Sequence, residues 1–97
     1  MATFISLLNF TDQGIRNVKQ SLDRAEKFKE MAKKVGVTVK EIYWTVGSYD
    51  GVTILEGPDD ETITSFLLSA VSLGNVRTQT LRAFSADEMK RIITNMP

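Results

Sequence analysis

The period of the hydrophobic pattern switches repeatedly along this chain, and the order of the switches leaves few folds open. Residues 3–9 are rich in β-formers and read as a buried strand. Asn9–Gly14 breaks that run, and Thr11 or Asp12 stands where a side-chain oxygen caps a following helix. From Ile15 the period becomes helical: Ile15, Val18, Leu22, Ala25, Phe28, Ala32 and Val35 recur at steps of three and four. This predicts one helix with a single apolar stripe, Lys-rich towards its end and stopped at Gly36.

Residues 37–46 are β-branched and aromatic, Gly47–Gly51 reads as a turn, and residues 52–56 form a further strand. The two runs predict a hairpin. Gly57-Pro58-Asp59-Asp60-Glu61 opens a second helix, with carboxylates where the helix dipole favours anions. Its stripe is Ile63, Phe66, Leu67, Ala70, Val71 and Leu73, ending at Gly74-Asn75. Residues 76–84 alternate as a fourth strand. Ser85 and Glu88 have the spacing of a capping box, and Met89, Ile92, Ile93 and Met96 give a short last helix.

The order β-α-β-β-α-β plus a helix is an α+β, ferredoxin-like pattern over residues 1–97 as one domain. It predicts a four-stranded antiparallel sheet in the order 4-1-3-2 with helices on one side. The second strand then offers Ile42, Trp44 and Val46 to one face and Val39, Tyr43 and Thr45 to the other. The third offers Thr53 and Leu55 against Val52 and Ile54. Both faces are apolar, although the helices cover only one. The expected remedy is a homodimer, or a higher homo-oligomer, with sheets packed face to face.

Composition narrows the function classes. Twelve basic residues balance twelve acidic ones, so the positive surplus of a nucleic-acid binder is missing. No apolar run reaches the length of a membrane span, and the first residues lack the basic start of a signal peptide. The expectation is a cytoplasmic protein without nucleic-acid or membrane partners. With no Cys and no His, disulfides, thiol catalysis, soft-metal sites and His-based acid–base chemistry are excluded. No metal or cofactor is expected.

Several stretches resemble the GYD-domain family. They are residues 3–15, Ile42–Asp50, Gly57–Glu61 and, most specifically, Leu73–Phe84. The Gly-Tyr-Asp signature stands here as Gly47, Tyr49 and Asp50, with Ser48 in the gap. The resemblance covers nearly the whole chain. It implies a small bacterial-type ferredoxin-like domain, similar to the dimeric α+β barrel group, and no established biochemical role.

The candidate ligand-binding residues are Tyr49, Asp50, Arg77, Gln79 and Arg82. Tyr49 is a donor and Asp50 an acceptor, a pair suited to proton transfer if burial raises the carboxyl pKa. The alternative is a structural turn in which Asp50 bonds its own backbone and Tyr49 packs on a neighbour. An Arg fork suits a carboxylate or phosphate. Arg77 and Arg82 lie five apart on one strand and so face opposite ways, Gln79 going with Arg77, and Thr78 and Thr80 with Arg82. The alternative for either Arg is an ion pair with Asp50, Glu56 or Asp59. Thr11–Gly14 is explained by capping. Residues 16–40 carry eight basic against three acidic side chains, while residues 50–61 carry five acidic and no basic ones, a polarity that suits guided association.

Three functions remain open. The first is a dimeric module binding a small anionic or polar molecule, or a partner, in a sheet-face cavity. The second is a cofactor-independent oxygenase or isomerase of the dimeric α+β barrel group. The third is a purely structural oligomer.

Overall fold

A computed structural model describes residues 1–97. The strands are β1 (Ala2–Phe10), β2 (Thr38–Trp44), β3 (Gly51–Gly57) and β4 (Val76–Ala83). They form one antiparallel sheet in the order β2-β3-β1-β4, the ferredoxin-like order expected from the pattern. The helices are α1 (Asp12–Arg16), α2 (Ser21–Lys34), α3 (Asp60–Val71) and α4 (Ala86–Thr94), with a 3-10 turn at Val18–Gln20.

The core lies between one sheet face and helices α2 and α3. Phe4 and Leu55 from the sheet meet Ala32, Val37, Ile63, Phe66 and Leu67, all buried. Phe28 and Phe66 join the two helices, their ring centroids 4.7 Å apart. A polar pair crosses the covered face, where Ser6 Oγ and Thr80 Oγ1 share a hydrogen bond of 3.2 Å. Asp59 and Ser85 cap α3 and α4, and the Ser85–Glu88 capping box is complete.

The helix expected from Ile15 to Val35 is instead two. Thr11 caps α1, accepting the Gly14 N–H at 3.1 Å, and also donates to the Gly74 carbonyl at 2.5 Å. Gln13 Nε2 donates to the Leu73 carbonyl and to Asn75 Oδ1, both at 3.0 Å. These bonds hold α1 against the start of β4. The chain must then turn at Asn17 before α2 can lie over the sheet. Asn17 (φ −106°, ψ 25°) leaves the helix, and its side chain donates to the Gln13 carbonyl at 2.9 Å. Side chains of this kind compete with the helical backbone bonds. Of the predicted stripe, Ala32 is buried and Ala25 and Phe28 are half-buried, whereas Ile15, Val18, Leu22 and Val35 are exposed.

Strand β2 also departs from simple alternation. A bulge falls between Val39, opposite Leu55, and Glu41, opposite Ile54. The extra residue, Lys40, moves Val39 to the covered face beside Ile42 and Trp44. Val46 lies beyond the strand and is fully exposed.

The core is small for the chain. Only 12 of 97 residues are buried. The radius of gyration is 14.6 Å, against about 12.5 Å for a compact domain of this length. Helix α4 buries none of its residues.

Candidate functional site

The cross-strand register defines the face that no helix covers. Tyr43, Val52, Leu7 and Gln79 make one row across it, and Glu41, Ile54, Ile5 and Leu81 make the next. Residues directly opposite on neighbouring strands share a face, so these rows are continuous across all four strands. Six of the eight side chains are apolar or aromatic. Tyr43 and Leu81 are 52% and 44% exposed, and the four between them are half-buried by their neighbours. Isolated exposed apolar residues are ordinary, but a connected patch of this kind marks an interaction surface.

Polar groups edge the patch. Beyond the upper row, Asn9 and Arg77 are paired. Beyond the lower row stand Thr38, Glu56, Thr3 and Ala83. Lys40 Nζ meets Glu56 Oε1 at 3.3 Å, whereas Arg77 forms no ion pair within the chain.

The β2–β3 loop supplies the remaining candidates. Thr45 continues the hairpin by bonding the Asp50 carbonyl at 2.9 Å, and its hydroxyl donates to the Tyr49 carbonyl at 2.6 Å. Gly47 adopts φ 129°, a conformation that residues with a Cβ rarely take. The loop so formed carries the Tyr49 hydroxyl to the open face, where it donates to Gln79 Oε1 at 2.9 Å. Tyr49, Gln79 and Arg77 therefore share one end of the open face.

Asp50 is turned to another task. Its backbone N–H donates to the Leu8 carbonyl at 2.8 Å, and its Oδ2 accepts the Phe10 N–H, also at 2.8 Å. The carboxylate thus continues the β1 ladder where β3 has ended. Arg82 lies on the covered face, as its register opposite the buried Phe4 requires. Its guanidinium lies 5.5 Å from the Phe4 ring centroid and 4.5 Å from that of Phe84. It bonds the Thr3 and Ala83 carbonyls and meets Glu88 Oε2 at 3.6 Å. Its acidic neighbour is thus Glu88 rather than Asp50, Glu56 or Asp59. Of the five candidates the structure gathers three and directs two elsewhere.

Two carboxyls are held below their ordinary range, both by backbone hydrogen bonds at helix starts. Asp59 is lowered chiefly by the Thr62 N–H, and Glu88 chiefly by the Ser85 N–H. Both are capping groups. No three His, Cys, Asp or Glu side chains converge as metal ligands, and no helix is long and apolar enough to cross a membrane.

A second surface was not anticipated from sequence. A groove of about 560 Å3 runs between α2 and β2, walled by Leu22, Ala25, Val39, Ile42 and Trp44 together with five charged residues, Asp23, Glu26, Lys29, Lys40 and Glu41. The bulge at Lys40 is what aligns Val39 with Ile42 there, and the pattern alone gives no sign of it.

Comparison with known proteins agrees with this geometry. A Thermus thermophilus protein described as "Glutamine synthetase and cystathionine beta-lyase binding protein" is 32% identical over 90 residues, 92% of this chain and 95% of that one. A solved structure from Thermus thermophilus superposes with a TM-score of 0.57 at 27% identity, covering 89% of this chain and 96% of that one. The structure of FFRP-DM1 shares the fold, with a TM-score of 0.61 at 21% identity, over 87% of this chain and 100% of that one. The GYD domain model matches residues 4–93, and the chain belongs to the GYD domain family.

Proposed function

We propose that this chain is a non-catalytic, homodimeric binding module that docks on metabolic enzymes. The observation that carries the reading is the open face: four strands wide, apolar through its centre and polar at its rim. Two such faces stacked about a two-fold axis cover each other's apolar rows. The dimer then presents its helices, loops and groove to partners.

The partner class comes from the relative whose description names glutamine synthetase and cystathionine beta-lyase, matched along almost its full length. Enzymes of those two kinds are the partners proposed for this chain. The oxygenase or isomerase alternative has less support, because Asp50 is already an acceptor for backbone and Arg82 is engaged with Glu88.

The test is titration of the purified protein against glutamine synthetase and cystathionine beta-lyase from the same organism. Saturable binding to either enzyme, at a fixed ratio of dimer to enzyme, is expected. Absence of binding to both at concentrations above about 0.1 mM contradicts the partner assignment.

A second reading concerns the Tyr49–Gln79–Arg77 end of the face. Arg77 has no ion-pair partner in the chain and stands beside a tyrosine and an amide, a group suited to a small carboxylate or phosphate. Calorimetric titration with small carboxylates and inorganic phosphate, against wild type and Arg77→Gln, tests it. Arg77-dependent heat supports the reading, and identical traces contradict it.

A further inference from the structure

The open face carries one unmatched charge of each sign, at opposite corners. Glu56, at its lower edge, is matched by Lys40 at 3.3 Å. Arg77 on β4 and Glu41 on β2 form no ion pair, and both are exposed. The register sets Arg77 opposite Asn9, and Glu41 in the row of Ile54, Ile5 and Leu81. The two residues stand on the two edge strands, three strand spacings apart, and Arg77 lies four residues along β4 from Leu81. Their separation is therefore about 14 Å across the strands and about 14 Å along them, with the apolar rows between.

We infer that Arg77 of each copy pairs with Glu41 of a second copy, and that these two residues fix how the open faces stack. The inference rests on the homodimer proposed above. A two-fold axis exchanges the copies, so one Arg77–Glu41 contact brings a second, identical one.

Symmetry leaves one direction for that axis. An axis along the strands lays β4 over β2 but keeps every residue in its own row, so Arg77 stays two rows from Glu41 of the second copy. Glu41 then rests over Leu81, where its carboxylate loses water and gains no partner. An axis across the strands lays β4 over β4, three strands from Glu41. Only an oblique axis, about 45° from the strands, exchanges the two corners. It passes between Leu7 and Val52, at the middle of the apolar patch. The strands of the two copies then cross at about 90°, the orthogonal class of sheet packing. Two reciprocal ion pairs at the rim of an apolar centre fix the register and disfavour other stackings.

The experiment measures dimer dissociation by sedimentation for wild type, Arg77→Glu, Glu41→Arg and an equimolar mixture of the two variants. Both residues are exposed and outside the core, so the variants keep the fold, which circular dichroism checks. Each variant alone sets like charges together twice, and a weakening of the dimer by about tenfold or more is expected. The mixture restores both pairs with reversed sign, so heterodimers of near wild-type affinity are expected. A pair made within one chain does not recover on mixing. The small-anion reading uses Arg77 alone and predicts no effect of Glu41→Arg. Variants that dissociate like wild type, or a mixture no tighter than its components, overturn the pairing and leave the sheet-face dimer standing. A wild-type protein that is monomeric at every concentration overturns both.

Discussion

The Tyr49 hydroxyl and the Gln79 side-chain carbonyl, 30 residues apart in sequence, meet at 2.9 Å over the open face of the sheet. The bond fastens the β2–β3 loop to the far edge strand, across β3 and β1. It is exposed, and a hydrogen bond between neutral groups contributes about 0.5–1.5 kcal/mol net, the lower part of that range applying here. Tyr49→Phe should lower the stability by about 0.5–1 kcal/mol in urea denaturation with an unchanged slope. A loss above about 3 kcal/mol would show that the loop, rather than one bond, depends on the hydroxyl.

Asp50 should matter more than Tyr49. Its carboxylate accepts the Phe10 N–H at 2.8 Å, and removing it leaves a part-buried donor unmatched. Hydrogen bonds to a charged group contribute about 1.5–3 kcal/mol. Asp50→Ala is expected to cost that much, and Asp50→Asn, which keeps an oxygen there, about half. Equal losses in both variants would indicate that charge, not the acceptor, is what the site uses.

Gly14 is required by a close approach. A Cβ built there falls 1.9 Å from the Asn75 carbonyl oxygen, which itself accepts the Thr11 N–H. Gly14→Ala must push α1 away from the start of β4, at a cost of about 1–3 kcal/mol. Faster amide exchange at Thr11 would register the displacement, and unchanged exchange with unchanged stability would count against it.

Acid should loosen α4. The Glu88 carboxyl is held below its ordinary value of 4.5, first by the Ser85 backbone N–H, and it also meets Arg82. A pKa depressed on folding gives stability that is full above the unfolded value and fades as pH falls through the lower folded one. Helical signal from α4 is therefore expected to decline below about pH 4.5, and Glu88→Gln should start lower and flatten that dependence. A wild-type profile matching that of Glu88→Gln would remove Glu88 from the account.

The strand order was legible because each element announces its period, its cap or its stop. Gly36 and Ser85 do so with no help from distant residues. What escaped were features set by contacts far along the chain. Ile15, Val18 and Leu22 keep a helical period, yet Thr11 and Gln13 pin α1 to Leu73–Asn75 and force the turn at Asn17. The Lys40 bulge moved Val39 to the covered face, because only the partner strand fixes register there. For the candidate site, alternation separated Arg77 from Arg82 correctly. It carried no information on the Asp50–Phe10 bond or on Glu88 as the acidic neighbour of Arg82.

The central claim is that two open faces cover each other. Sedimentation equilibrium of wild type, Leu81→Glu and Tyr43→Glu tests it most directly, since both residues are exposed on that face and dispensable to the core of one chain. The account predicts a wild-type mass of twice 10.8 kDa, with both variants folded and at the single-chain mass. A wild-type protein at 10.8 kDa up to about 0.1 mM, or variants that remain dimers of wild-type affinity, would contradict it.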